Sequence, residues 1–203
     1  MKTHKVLITA FDPFGGESIN PALEAVMQLP DMLEDIQIIK LELPTVYVKS
    51  ADILLKAIEA EQPDIVISVG QAGGSANISV ERVAINIDDA HAADNEGVVH
   101  EDVPIAPGGP AAYFSTLPIK AIVAALREAG IPVAVSGSAG TFVCNHIMYT
   151  ALHYAACRQP ALRAGFVHIP YLPRQVAGKV GVASMSVGTV LEALKIIVCR
   201  SIL

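Results

Sequence analysis

Three residue types that together make an acyl-transfer site, a thiol, an imidazole and a carboxylate, occur at Cys144, His168 and Glu81 in contexts that suit the chemistry. Cys144 lies in Gly140-Thr141-Phe142-Val143-Cys144-Asn145-His146. Gly140 breaks what precedes it, Thr141 is a candidate helix cap, and residues 142–157 carry an apolar stripe at helical spacing. The thiol then falls in the first turn of a helix. Unpaired N–H groups and the helix dipole favour the thiolate there and could hold a developing oxyanion. His168 ends a buried strand, Gly165 to Ile169, that Pro170 stops. Glu81 and Arg82 interrupt a stretch, Ile78 to Ile87, that is apolar at alternate positions. A carboxylate inside an apolar strand needs a partner, and an imidazole or a guanidinium would serve. The three residues are a candidate nucleophile, base and orienter. The alternative for Cys144 is an inert buried thiol in a helix.

The elements that must position these groups alternate along the chain. Strands are predicted at Lys5 to Phe11, Ile36 to Leu43, Asp64 to Val69, Ile78 to Ile87, Pro132 to Ser136 and Gly165 to Ile169. Helices are predicted from Pro21 to about Leu29 with Asn20 as cap, Val46 to Ala60, Pro118 to Ala129, Phe142 to Cys157, and from Ser184 or Ser186 to about Val198. Residues 88–117 read as an irregular, polar, Gly/Pro-rich excursion. This order predicts an α/β fold spanning 1–203 as one domain, a mostly parallel twisted sheet with helices on both faces.

Composition narrows the classes. The 203 residues suffice for a sizeable core. A net charge of -6 leaves no electrostatic footprint for nucleic acid or an anionic membrane. Apolar residues make up 52% and charged residues 17%, which suits a sheet buried on both faces, an oligomer that hides surface between subunits, or both. No apolar run approaches a membrane span, and the stretch Val6 to Phe11 is too short for the core of a secretory signal. Three cysteines offer no disulfide framework and point to a reducing cytoplasm; Cys157 and Cys199 read as core or interface fillers. Asp12 to Gly16 lacks the ending of a phosphate loop. The run Asp88, Asp89, His91, Asp94, Glu96, His100, Glu101 and Asp102 has no metal-ligand spacing and reads as a solvated loop or lid, so no metal or other cofactor is expected. His146, two residues beyond Cys144, points to another helix face and is not the expected base; His153 reads as a helix-surface or interface residue.

Five motifs in order strongly resemble pyroglutamyl peptidase type I, also called pyrrolidone-carboxylate peptidase: Thr9-Ala10-Phe11-Asp12-Pro13-Phe14-Gly15-Gly16 with Asn20-Pro21, Gly70-Gln71-Ala72-Gly73-Gly74, Glu81 to Asn86, Gly137 to Asn145, and Phe166 to Pro170. The resemblance implies a cytosolic cysteine peptidase that removes N-terminal pyroglutamate from peptides through a thioester, working as a homo-oligomer, dimer or tetramer. It carries the triad onto Glu81, Cys144 and His168, and the ring pocket onto Phe11, Phe14, Gln71, Phe142 and Val143. The chain departs from the family at Asp88-Asp89-Ala90-His91, where the family usually has arginine in the fourth place, a residue linked to the active site. In open α/β sheets sites lie beyond the carboxyl ends of strands. Phe11, Gln71, Cys144 and His168 are expected there, with Glu81 reaching in sideways from within its strand. A metal-assisted hydrolase built on the 88–102 run and a non-catalytic binder of modified N-termini are the competing functions.

Overall fold

The computed structural model describes residues 3–202. The chain runs β1 (His4–Phe11), α1 (Pro21–Val26), β2 (Met32–Leu33), β3 (Ile36–Leu43), α2 (Tyr47–Glu61), β4 (Ile65–Gln71), β5 (Ile78–Glu81) and β6 (Val83–Ile85). It continues β7 (Ala112–Phe114), α3 (Ile119–Glu128), β8 (Val133–Ser136), α4 (Val143–Arg158), β9 (Arg163–Ile169), α5 (Pro173–Val176) and α6 (Val187–Ser201). Among the described residues one sheet has the order β2-β3-β1-β4-β9-β5-β8, and β6 pairs with β7 apart from it. β3, β1, β4 and β9 are mutually parallel. β5 lies antiparallel to β9, and β8 is parallel to β5. The sheet is thus mostly parallel, as the alternation of elements predicts.

Strand periodicity sorts the core into two layers. On one face Val6, Ile8, Ile65, Ile67, Val80 and Val167 pack with α1, α3 and α6. On the other Leu7, Phe11, Val66, Ala164 and Phe166 pack with α2 and α4. β4 is buried along six successive residues, which is why it reads as a continuous apolar run. Asn20 accepts the Ala22 N–H at 3.0 Å and starts α1 ahead of Pro21, as expected. Ser186 does the same for α6 through the Thr189 N–H.

Four expectations need correction. The predicted strand 78–87 is two strands. After Glu81 the Arg82 N–H donates to the Ser136 carbonyl, the Arg82 carbonyl accepts the Ser115 N–H, and β6 then pairs with β7. The apolar positions change phase across the break, from 78 and 80 to 83, 85 and 87, and the two pieces pair with different partners. The 88–117 excursion contains β7. Thr141 is not a helix cap: its hydroxyl donates to the Asp89 carbonyl, and Phe142 occupies the cap position. Because β5 and β8 run against the central strands, the carboxyl-end rule places Phe11, Gln71 and His168 but not Glu81 or Cys144.

Gly165 is required by close approach. Residues 115–117 cross β9 there, with Thr116 hydrogen-bonded to Ala164 through both backbone and hydroxyl. A Cβ at position 165 would lie 2.5 Å from Ser115 Oγ and 2.6 Å from Leu117 Cδ1. Gly165→Ala should therefore cost about 1–3 kcal/mol of stability. The expected readout is a lower urea midpoint at unchanged slope, and an unchanged midpoint would contradict the packing described.

Candidate active site

Strand register creates the carboxylate–imidazole pair. Ser79 stands opposite His168 in the antiparallel β5–β9 pair, so Glu81, two residues on, is the diagonal neighbour of His168 on the α2/α4 face. The Glu81 carboxylate accepts the Nδ1–H of His168 at 2.8 Å. A carboxylate can only accept, so the proton sits on Nδ1 and Nε2 is free to face the thiol. Glu81 is 2% exposed and His168 12%. Glu81 Oε2 has no partner among the described residues, and Arg82 is exposed, so His168 is the group that answers this buried charge.

Cys144 reaches the pair from above. α4 begins at Val143, and its cap residue Phe142 offers no side-chain acceptor, so the N–H groups of its first turn remain donors for an anion. The helix start is fixed against the sheet by three bonds of Asn145: its carbonyl accepts the Ile85 N–H, and its amide donates to the Ile85 and Ile87 carbonyls, each at 2.9 Å. The thiol lies over Gly70. A Cβ at position 70 would meet Phe166 at 2.8 Å and Cys144 Sγ at 3.1 Å, so only glycine leaves room for the sulfur. Burial alone would push the His168 pKa down. The negative charge and hydrogen bond of Cys144, with the hydrogen bond and charge of Glu81, outweigh it and lift the value to about 10.

Phenylalanines form two pairs. Phe14 and Phe142, both half-buried, face each other with centroids 6.2 Å apart, whereas Phe11 is buried and stacked on Phe166 at 6.3 Å. Val143 is 1% exposed, so its side chain belongs to the core and it offers the site only its backbone. Gln71, at the end of β4, accepts the Gln175 amide at 2.9 Å. His91 is exposed and makes no hydrogen bond or ion pair with any described residue.

The acidic run is less solvated than its composition predicts. Asp88 is 1% exposed and accepts Nδ1–H bonds from His146 at 2.7 Å and His100 at 3.3 Å. Asp94 is also buried and accepts the N–H groups of Tyr47, Glu96 and Val98. His146 is buried and faces Asp88, away from the Cys144 side. His153 is half-buried against the Tyr113 hydroxyl at 2.9 Å. Cys199 packs on the α1/α3/α6 core, but Cys157 is exposed at the end of α4 and is not a core residue. Sequence reasoning missed the Asp88 pair and Tyr47. The signal was an aspartate directly after an alternating strand, where a bridge to Val103 keeps it inside. Cavities of about 470 Å³ open on the far part of α4, at Leu55, His153 and Cys157, and between α3 and α6 at Ala125 and Cys199; none of the predicted site residues lines them.

A thiol at an uncapped helix start, beside an imidazole whose tautomer a buried carboxylate fixes, defines a cysteine hydrolase of the α/β class. Residues 4–202 match the pyroglutamyl peptidase family, and the chain belongs to it. The pyrrolidone-carboxylate peptidase of Alkaliphilus oremlandii is 52% identical over 98% of this chain and 93% of its own length. That of Erwinia tasmaniensis is 54% identical over 98% and 92%. The crystal structure of pyroglutamyl peptidase I from Bacillus amyloliquefaciens superposes with a TM-score of 0.95 at 47% identity, covering 98% of this chain and 94% of that one. A mutant pyrrolidone carboxyl peptidase from Pyrococcus furiosus gives 0.94 at 45% identity, covering 98% of both.

The raised His168 value has a definite sign. The folded protein holds the His168 proton above pH 6.5, where the unfolded chain releases it. The resulting stabilisation is complete below about pH 6.5 and is lost as pH rises towards about 10. In NMR titration the His168 ring should titrate near pH 10, and Cys144→Ala should bring the midpoint down. A wild-type midpoint near 6.5, or no change in Cys144→Ala, would contradict the assignment of the thiolate as the main partner.

Proposed function

We propose that Cys144, His168 and Glu81 carry out the reaction of this family, cysteine-dependent removal of N-terminal pyroglutamate from peptides. The observation that carries the reading is the shared face: the Glu81–His168 hydrogen bond of 2.8 Å lies on the same side of the sheet as Cys144, and both partners lift the His168 pKa. Cys144 attacks the carbonyl that links pyroglutamate to the next residue. N–H groups of the first turn of α4 steady the oxyanion. His168 gives its proton to the departing amine and, now neutral, takes a proton from the water that hydrolyses the thioester; Glu81 holds the Nδ1–H tautomer and stabilises the imidazolium whenever it is present.

Phe14 and Phe142 suit the flat, uncharged lactam ring, with Phe11 beneath as support. An N-terminal proline carries an ammonium that such a wall desolvates without a partner, which argues for its rejection. Gln71, its oxygen engaged by Gln175, keeps its amide N–H groups for a lactam carbonyl. Val143 contributes its N–H. No helix among the described residues is long and apolar enough to cross a membrane. The three cysteines are all free, which supports the cytoplasm as the compartment. A dimer or tetramer would cover exposed apolar residues such as Phe114, 71% accessible.

In an assay with a pyroglutamyl fluorogenic amide, Cys144→Ala and His168→Ala should each lower kcat by about 10⁴ or more, and Glu81→Gln should be roughly ten- to a hundredfold less damaging. Cys157→Ala and Cys199→Ala should retain most activity, and iodoacetamide should inactivate all but the Cys144 variant's residual rate. Turnover by Cys144→Ala near the wild-type rate, or loss with a chelator and indifference to iodoacetamide, would contradict the thiol mechanism.

A further inference from the structure

The segment 88–103 is attached at both walls of the aromatic gap. On the Phe142 side, the Asp89 N–H donates to the Thr141 carbonyl at 3.0 Å and the Thr141 hydroxyl returns a bond to the Asp89 carbonyl. The same side is held by a stack: the His100 ring lies on Tyr47 with centroids 4.3 Å apart and planes 24° apart, and Tyr47 meets Phe142 edge-on at 5.5 Å. His100 is kept in that position by its Nδ1–H bond to the buried Asp88 carboxylate. On the Phe14 side, the Asn95 amide donates to Asp12 Oδ1 at 3.0 Å and to the Pro13 carbonyl at 2.9 Å, immediately before Phe14. The Asn95 N–H also donates to the Thr45 carbonyl, just before Tyr47.

We infer that residues 88–103 form a strap whose two attachments, His100 and Asn95, set the gap between Phe14 and Phe142 and so tune which acyl ring enters. The inference rests on the reading of those two rings as the ring pocket. Neither residue touches the reacting atoms; both are positioning residues that act through an aromatic wall. The Asn95 links are directional hydrogen bonds of 3.0 and 2.9 Å and the His100 link is a close ring stack, whereas Phe14 and Phe142 themselves meet only as a tilted pair with centroids 6.2 Å apart. A gap defined to within a fraction of an ångström discriminates rings that differ by one methylene, a difference an apolar pocket can turn into about 10- to 200-fold in kcat/KM.

The test compares a pyroglutamyl fluorogenic amide with its six-membered lactam homologue in the full-length chain. His100→Ala and Asn95→Ala should each raise KM for the five-membered substrate about three- to tenfold, with kcat within about threefold, and should narrow the preference for five over six by a similar factor. His100→Phe keeps the stack on Tyr47 without the Asp88 bond and should recover most of the preference lost in His100→Ala. Asn95 is exposed, whereas His100, 21% exposed, covers the buried Tyr47 and bonds to the buried Asp88, so the His100→Phe variant separates loss of the stack from loss of the bond. Unchanged KM and preference in both alanine variants would overturn the strap while leaving the peptidase reading intact. Equal losses in kcat on both substrates, with slower alkylation of Cys144, would overturn it in favour of a general structural role. A wild-type chain that hydrolyses neither substrate would overturn the peptidase reading and the strap together.

Discussion

A buried carboxylate that accepts from an imidazole across two antiparallel strands is the interaction on which the site depends. Glu81 is 2% exposed, and one of its oxygens has no partner among the described residues. Its charge is therefore answered chiefly through Nδ1 of His168 rather than shared among several donors. Burying such a charge unpaired would cost several kcal/mol. That cost constrains the register of β5 on β9. A slip of one residue would turn Glu81 to the face of Val80 and Ile78, into the α1/α3/α6 core. The parallel β5–β8 pair, from Ile78 opposite Val133 to Glu81 opposite Ser136, holds the register from the other side. The strand ends at the carboxylate, so the chain leaves the sheet where its one charged contact has been made.

The thiol is brought to this pair by a separate set of restraints. β8 runs the wrong way to deliver Cys144 by the usual strand-to-helix turn, and the loop 137–142 makes up the difference. Asn145 fixes α4 to the backbone of β6, and Gly70 gives the sulfur space between α4 and the sheet. A second carboxylate, Asp88, ties His146 of the same helix and His100 of the excursion to one point. Two buried acids thus each hold an imidazole, Glu81 that of His168 and Asp88 that of His146 on the helix that carries Cys144.

What was legible in the sequence was what local physics determines. Asn20-Pro21 and Ser186 start helices because cap chemistry is local. β4 and β9 read as strands because residues 65–70 and 164–167 are buried and all apolar or small. An acid inside an apolar strand predicts a buried partner for Glu81, and the structure supplies His168. The break at Arg82 has a local signal, the change of phase from apolar 78 and 80 to apolar 83, 85 and 87, but the change of sheet depends on pairing. The direction of β8 likewise depends on pairing rather than on its own residues. Asp88 and Asp94 were hidden by their neighbours: Asp89, His91, Asn95, Glu96, Glu101 and Asp102 around them are exposed, and the two acids also hold partners 47 and 58 residues distant in sequence, Tyr47 and His146.

In the proposed mechanism the acyl group passes through a thioester at Cys144. Rapid quenching of the enzyme with a pyroglutamyl thioester or activated ester, followed by peptide mass analysis, tests it directly. One pyroglutamyl group should appear on the peptide that contains Cys144, should be lost when hydroxylamine is added, and should persist longer in His168→Ala, where water is no longer activated. An adduct on Cys157 or Cys199, or turnover with no adduct on any cysteine under conditions that trap thioesters, would contradict it.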